Sequence, residues 1–172
     1  MSIVFYILGV IVFVIIAIVV TGFILPNERI VSHQSVFNVS PDVLYKVIVD
    51  NHDWKYRSNL KDLIIVEQSA DMEVWDEISQ DGSVIRFRTK DKIPYSFYSF
   101  YMEAKLFTGY WTGEFLEKED GRTKFIATEY IRVKNPFIKT LSYLFFDVKK
   151  FMEIYQEDLR GKINEINSQL NK

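Results

Sequence analysis

A long apolar run near the N-terminus constrains this chain more than any other feature. No charged side chain occurs between Ser2 and Asn27, and the 23 residues from Ile3 to Leu25 are mostly valine, isoleucine, phenylalanine and leucine. At about 1.5 Å per residue this run makes roughly 34 Å of helix, enough to cross a hydrocarbon core of about 30 Å. Because a backbone in lipid must satisfy its own hydrogen bonds, we predict a transmembrane helix despite the many β-branched residues.

A cleaved signal peptide is the main alternative interpretation of this run. A signal peptide has a basic start, a shorter apolar core and a cleavage site flanked by small residues. Here the first basic residue is Arg29, and the apolar run is long and ends at Pro26. We therefore favour an uncleaved anchor over residues 1–27, with Pro26 ending the helix near the interface. A buried core helix is a third interpretation, disfavoured by the length of the run and its lack of charge.

The basic residues around the run indicate an orientation. Lys and Arg close to a span favour the cytoplasmic side of the membrane. None precedes the apolar run, whereas Arg29 and then Lys46 follow it. This asymmetry predicts a single-pass membrane protein whose soluble domain lies in the cytoplasm.

Residues 28–172 make up one further predicted domain and carry every charge of the chain. The 21 basic and 23 acidic residues nearly cancel, so the charge gives no reason to expect nucleic acid as a partner. The absence of cysteine excludes disulfides, cysteine-ligated metals and thiol catalysis. The only histidines, His33 and His52, fall on different elements without a carboxylate at ligand spacing. We therefore predict no metal and no cofactor, and we assign no catalytic residue.

Periodicity predicts that this domain begins with a strand over Glu28–Asn38, followed by an amphipathic helix with Ser40 as N-cap and Pro41 at its first position. Residues 54–60 are predicted to form a second short helix or a turn. The pairs Asp81-Gly82 and Asp120-Gly121 are typical of hairpin turns. Six further strands are predicted, over Leu63–Gln68, Glu73–Ser79, Val84–Lys90, Tyr95–Phe107, Tyr110–Lys118 and Lys124–Lys134.

The period changes after Asn135-Pro136. Apolar residues then recur every three or four positions from Leu141 to Leu170. This spacing predicts one amphipathic helix of roughly thirty residues. Its apolar stripe must be buried, and the sheet is the only large partner that the chain offers.

The order of a strand, two short helices, six strands and a long helix resembles the helix-grip fold of the START-like superfamily, also called the SRPBCC or polyketide cyclase/dehydrase group. The resemblance covers residues 29–170. It is carried by the junction VSPDVLY at Val39–Tyr45, by the exit from Asp50 through Asp53 to Trp54, and by the terminal helix with Leu159 and Ile163. It implies an α+β domain in which a curved, seven-stranded antiparallel sheet wraps round the long C-terminal helix and encloses a cavity.

The resemblance also implies that aromatic side chains contact a ligand in this cavity. The domain is rich in aromatic residues, and one densely aromatic segment runs from Tyr95 to Tyr101. Alternation places Phe97, Tyr101 and Phe107 on one face and Tyr98 and Phe100 on the other. Ordinary core packing is the competing interpretation of each ring. The candidate cavity residues are Trp54, Phe97, Tyr101, Phe107, Trp111, Glu129, Leu144 and Val148.

Glu129 is the most informative polar residue of this set. It occupies one position of an otherwise apolar alternating series that runs from Phe125 to Val133. If this series faces inward, Glu129 is a carboxylate in an apolar cavity, and burial would raise its pKa. Arg86 or Arg88 could pair with it. Exposure or a structural salt bridge is the alternative.

These features predict membrane-tethered binding of a hydrophobic small molecule, a lipid or an isoprenoid, between the sheet and the C-terminal helix. Two alternatives stay open. One is an interaction module without a ligand, with a membrane protein as its possible partner and its cavity filled by its own rings. The other is a cyclase- or dehydratase-like enzyme that uses Glu129. Fold alone does not decide between them.

Overall fold

Seven antiparallel strands form a single sheet in the computed structural model, which describes residues 2–170. The spatial order is β1-β7-β6-β5-β4-β3-β2, so β2 to β7 form a meander and β1 returns to pair with β7. The strands are β1 (Arg29–Phe37), β2 (Leu60–Gln68), β3 (Glu73–Ser79), β4 (Val84–Ile93), β5 (Phe97–Glu103), β6 (Thr108–Glu117) and β7 (Thr123–Arg132).

Four helices accompany the sheet in the described residues: α1 (Ser2–Ile24), α2 (Pro41–Val49), α3 (Pro136–Phe145) and α4 (Val148–Leu170). The apolar stripe of α4 is buried, with Val148, Met152, Leu159 and Ile163 all at most 3% exposed. Its polar side chains also hold β1, because Gln156 and Arg160 donate to the carbonyls of His33 and Val36. This confirms the predicted α+β helix-grip fold with a long helix on one face of the sheet.

The hairpin turns form where their sequences predict them. Gly82 and Gly121 have φ of +84° and +75°, a left-handed conformation that glycine adopts without steric cost. Ser79 N donates to the carbonyl of Ser83, and the second hairpin is closed by the corresponding bond from Lys118 to Arg122. The strands on either side therefore pair in the register that places their apolar faces together.

The segment after α2 follows the second of the two predicted alternatives, a turn and not a short helix. Residues 51–59 form successive turns, not a helix. The Asp50 carboxylate accepts from the backbone N–H of His52 and starts the first turn. Asn51 is buried and donates its side-chain amide to Glu73 on β3. These side-chain bonds hold a non-helical path that leads Arg57 toward the sheet.

The predicted single C-terminal helix is wrong in one respect, because it is divided into α3 and α4 at Phe146 and Asp147. Phe146 has an extended backbone. The side chain of Asp147 accepts from the N–H of Lys150, so Asp147 caps a new helix. At the other end of α3, Asn135 caps that helix in the same way, because its side-chain oxygen accepts from the N–H of Ile138. The chain thus turns between the two helices, and α3 is free to pack elsewhere.

The partner of α3 is the end of α1. A Cβ atom added to Gly22 would lie 1.9 Å from the carbonyl oxygen of Pro136, so the two backbones are in direct contact. The Thr140 hydroxyl donates to the carbonyl of Ile18 at 2.8 Å. Beyond this contact, the segment Ile3–Ile24 of α1 is long and apolar enough to span a membrane.

Candidate functional site

A cavity of about 680 Å³ lies between the inner face of the sheet and α4. Strands β3 to β7 provide most of its wall, and Met152 and Tyr155 of α4 lie across from them. Its mouth is formed by the turn between β3 and β4, the loop between β5 and β6, and the junction of α3 with α4. A chamber of this size with a mainly apolar wall is typical of a small-molecule binding site.

Stacked aromatic rings form much of the sheet side of this cavity. Trp75 and Phe87 are opposite each other on β3 and β4 and stack with ring centroids 5.2 Å apart. Phe100 and Trp111 repeat the arrangement on β5 and β6, at 4.7 Å. Paired rings on neighbouring strands stiffen one another. The chain thus offers a flat, rigid and apolar surface to whatever enters.

One buried ion pair interrupts the apolar wall. The Arg57 guanidinium donates to both oxygens of Glu77, at 2.6 and 2.7 Å, and both side chains line the cavity. Trp75 also donates to Glu77, and the Tyr155 ring lies 5.3 Å from the guanidinium carbon. Burial is the largest single influence on the pKa of Arg57 and lowers it, but the charge and hydrogen bonds of Glu77, together with the neighbouring Tyr155 and Tyr56, outweigh burial and raise that pKa. The guanidinium of Arg57 is therefore charged, and the two hydrogen bonds fix its orientation.

Glu129 faces the same cavity from β7. Within the described residues, no hydrogen bond or ion pair engages its carboxylate. Burial, and to a smaller extent the negative charge of Glu77, raises the pKa of Glu129 to about 7. Its neighbours on the inner face of β7 are Ala127 and Ile131, as the alternating pattern predicts. Glu129 is thus a carboxyl group available to a polar atom of a ligand.

Three of the eight predicted cavity residues line the cavity, namely Phe107, Trp111 and Glu129. Trp54 packs against the edge of the core, Phe97 is half-buried and outside the cavity wall, and Val148 is buried in the core. Leu144 is 66% exposed on α3. A role in ligand binding stays a prediction for the three lining residues.

Tyr101 requires a correction, because it lies on the outer face of the sheet beside Tyr110. Strand β5 ends at Glu103, and the loop that follows breaks the alternation before Phe107. Phe107 therefore shares the inner face with Tyr98 and Phe100, not with Tyr101.

The pairing of Glu129 with Arg86 or Arg88 is also wrong. Both arginines lie on the outer face of β4, and Arg86 makes two hydrogen bonds to Asp76 there. The arginine in the cavity is Arg57, from the turns after α2. Alternation within WDEIS offers one signal for its partner, since Glu77 shares a face with Trp75. Nothing local indicates Arg57 itself.

No family model matches this chain, and no curated protein is similar to it in sequence. Among solved structures, it is similar to the Zhui aromatase/cyclase of a Streptomyces species, at 13% identity and a TM-score of 0.70, covering 80% of this chain and 94% of that one. It is also similar to a START superfamily protein from Mycobacterium smegmatis, at 13% identity and a TM-score of 0.64. That match covers 80% of this chain and 98% of the other. A Thermus thermophilus protein matches at 16% identity and a TM-score of 0.65, covering 80% and 99%.

These similarities show the fold. The chain has the START-like fold that polyketide aromatase/cyclases share. A fold by itself assigns no substrate.

Proposed function

We propose that this protein binds a hydrophobic small molecule, a lipid or an isoprenoid, while α1 anchors it in a membrane with the soluble domain in the cytoplasm. The observation that carries the proposal is the cavity of about 680 Å³ beside α4. Its lining of Trp75, Phe87, Phe100 and Trp111 suits an apolar body, since burial of apolar surface contributes about 25 cal/mol per Å².

The polar groups of the cavity suit a ligand with one polar end. Arg57 and Glu77 are paired with each other, whereas the Glu129 carboxylate has no partner, so we assign the polar end of the ligand to Glu129. The Tyr98 hydroxyl also lines the cavity without a hydrogen-bond partner and is a second group that this end can reach. A ligand hydroxyl or amine would donate to the Glu129 carboxylate, and a ligand carbonyl would accept from its protonated form. The rest of the molecule would lie along the stacked rings. Tethering supports this function, because such a ligand partitions into the bilayer that holds the protein.

Native mass spectrometry of the full chain in mild detergent, with organic extraction of retained molecules, tests the proposal. We expect a species of defined mass. Ile85 lines the cavity, and an Ile85→Trp substitution would fill part of it. The matched control is Ile64→Trp on β2, where the side chain is exposed. Retention should fall by about tenfold or more in the first variant and stay unchanged in the second.

Absence of any retained species, together with no thermal stabilisation by a panel of lipids and quinones, would overturn the proposal. It would favour an interaction module with a protein partner. A module of that kind with a filled cavity has less support, because its own rings leave the space beside α4 open.

A cyclase- or dehydratase-like reaction is a second candidate, favoured by one observation. Glu129 is a half-buried acid in the cavity wall whose pKa of about 7 suits proton transfer near neutral pH. If the protein turns over an aromatic polyketide-like substrate, Glu129→Gln should abolish turnover while ligand retention persists. Turnover that survives this substitution would remove the candidate.

A further inference from the structure

Exposed apolar side chains are concentrated at the end of α3. Leu144, Phe145 and Phe146 are 66%, 82% and 49% exposed. No other three consecutive residues in the described part of the soluble domain, residues 28–170, expose large apolar side chains in this way. A patch of this kind on a soluble surface marks a site of contact with a protein or a membrane.

The position of this patch relative to α1 is fixed. Pro136 contacts Gly22, and the hydroxyl of Thr140 donates to the carbonyl of Ile18. Arg29, which follows α1, donates to the carbonyl of Phe146 at 2.8 Å and so ties down the far end of α3. The first turns of α3 are therefore held against the C-terminal end of α1, and its far end is held to the first residue of β1.

This packing sets the depth of α3 in a bilayer that α1 spans. Ile18 lies six residues before Ile24, the last residue of α1, which corresponds to about 9 Å along the helix axis. Contact at Ile18 therefore brings α3 to the level of the last turns of the span. An apolar helix at that level lies at the boundary between head groups and hydrocarbon.

The mouth of the cavity adjoins the same patch. Phe146 lines the cavity and is half-exposed, so it stands at the mouth. Leu106, in the loop between β5 and β6, also lines the cavity and is 57% exposed. The rim is thus apolar at Phe146 and Leu106, and Phe146 joins this part of it to the exposed end of α3. Elsewhere the rim is polar, with the exposed side chains of Asp81, Ser83 and Lys105.

The charges around α3 match a bilayer surface. Lys134 precedes the helix and Lys149 and Lys150 follow it, and all three are exposed. Asp147 lies between them, but its carboxylate accepts from the backbone N–H of Lys150. Lys134 lies at the opposite end of α3 from the patch, and Lys149 also pairs with Glu153 at 3.7 Å. Exposed lysines at both ends of α3 are suited to anionic head groups.

We infer that the end of α3, with Leu144, Phe145 and Phe146, inserts into the interfacial layer of the bilayer that α1 spans, and that the cavity mouth opens against this layer. The ligand then enters from the bilayer without crossing water. This inference rests on the membrane anchoring proposed above, and it adds where the soluble domain meets the membrane.

The chain contains no cysteine, so single cysteines can carry an environment-sensitive fluorophore without a background. The full chain would be reconstituted into vesicles of phosphatidylcholine and phosphatidylglycerol, with nitroxide-labelled lipid as quencher. The labelled variants are Phe145→Cys and Leu106→Cys at the proposed contact. Leu116→Cys is the matched control, because Leu116 is 44% exposed at the opposite end of β6 from this loop. Phe13→Cys reports whether α1 itself is inserted.

We expect the labels at Phe145 and Leu106 to emit at shorter wavelength and to be quenched several-fold more than the label at Leu116. Quenching at Phe13 without quenching at Phe145 would overturn this inference and leave the anchor intact. No quenching at Phe13 would overturn both the membrane anchoring by α1 and the insertion of α3. A blue-shifted Phe145 label that nitroxide lipid does not quench would show burial against protein, a second copy included, and would also overturn the inference.

Discussion

The guanidinium of Arg57 and the carboxylate of Glu77 form a bidentate ion pair whose side chains are only 14% and 7% exposed. Removal of one partner leaves a buried charge without its counterion, which costs about 3–5 kcal/mol. We therefore expect Glu77→Gln to lower the free energy of unfolding by about that amount. The double variant Arg57→Met/Glu77→Leu should lose less of the free energy of unfolding than Glu77→Gln does, because it leaves no unpaired charge in the cavity wall. Urea unfolding of the full chain in detergent, followed by tryptophan fluorescence, measures both, because all three tryptophans lie in the soluble domain.

An exposed pair serves as the control for this prediction. Arg86 and Asp76 have the same bidentate geometry, but the Arg86 side chain is 55% exposed. Asp76→Asn should cost about 1 kcal/mol or less. If Glu77→Gln and Asp76→Asn lowered the free energy of unfolding equally, the assignment of Arg57 to a buried position in the cavity wall would be contradicted.

The raised pKa of Glu129 makes stability depend on pH. Between its ordinary value of 4.5 and about 7, the folded state binds more protons than the unfolded state. The free energy of unfolding therefore falls as the pH rises through this window, and the loss is complete above pH 7. At pH 8, Glu129→Gln should be more stable than the wild type by on the order of 2 kcal/mol, and the two should converge near pH 4.5.

Unfolding measured at several pH values checks this expectation. Glu114→Gln, at an exposed position of β6, should follow the wild-type curve. If the free energy of unfolding of the wild type and of Glu129→Gln changed in parallel between pH 4.5 and 7, Glu129 would have the same pKa in the folded and the unfolded state. That result would contradict the prediction.

The contact between α1 and α3 depends on the lack of a side chain at Gly22. Gly22→Ala would place Cβ against the carbonyl of Pro136, and overpacking of this kind costs about 1–3 kcal/mol. Gly9→Ala in the same helix meets nothing within 4 Å and is the control. Electron paramagnetic resonance between labels at the exposed positions Val20 and Lys134 should show a longer or broader distance only for Gly22→Ala. Identical distances in the two variants would argue against a close contact.

Gly161 has the opposite role, because it weakens α4 without serving a contact. A Cβ added there meets no atom within 4 Å, and the residue is exposed in the interior of the helix. Gly161→Ala should stabilise the domain by about 0.5–1 kcal/mol. The same urea unfolding assay measures the gain. A loss of stability would show that the chain at Gly161 contacts another element.

The features that follow from local chemistry are predictable from the sequence. Pro41 begins α2, the Asp-Gly pairs form hairpins, and the alternation in β7 directs Glu129 inward. Each depends on a few neighbouring residues and a fixed period.

The features that depend on competition or on distant partners are not predictable in this way. The apolar spacing from Leu141 through Leu144 to Val148 continues smoothly across the break between α3 and α4, which Asp147 creates by capping. Arg57 and Glu77 meet only because the turns after α2 cross over β3. No local pattern encodes such a meeting.

The pairing of β1 has a consequence for how the protein is made. The strand synthesised first in the domain pairs only with β7, from Phe37 opposite Thr123 to Arg29 opposite Ile131. Until β7 has left the ribosome, β1 therefore has no partner in the sheet. If α1 spans a membrane as proposed, it already holds β1 beside that surface. Closing contacts so distant in sequence is slow, and an unpaired strand is prone to aggregate. Attachment to a surface keeps the nascent strand apart from other copies, so the anchor would also protect the chain during its own biosynthesis.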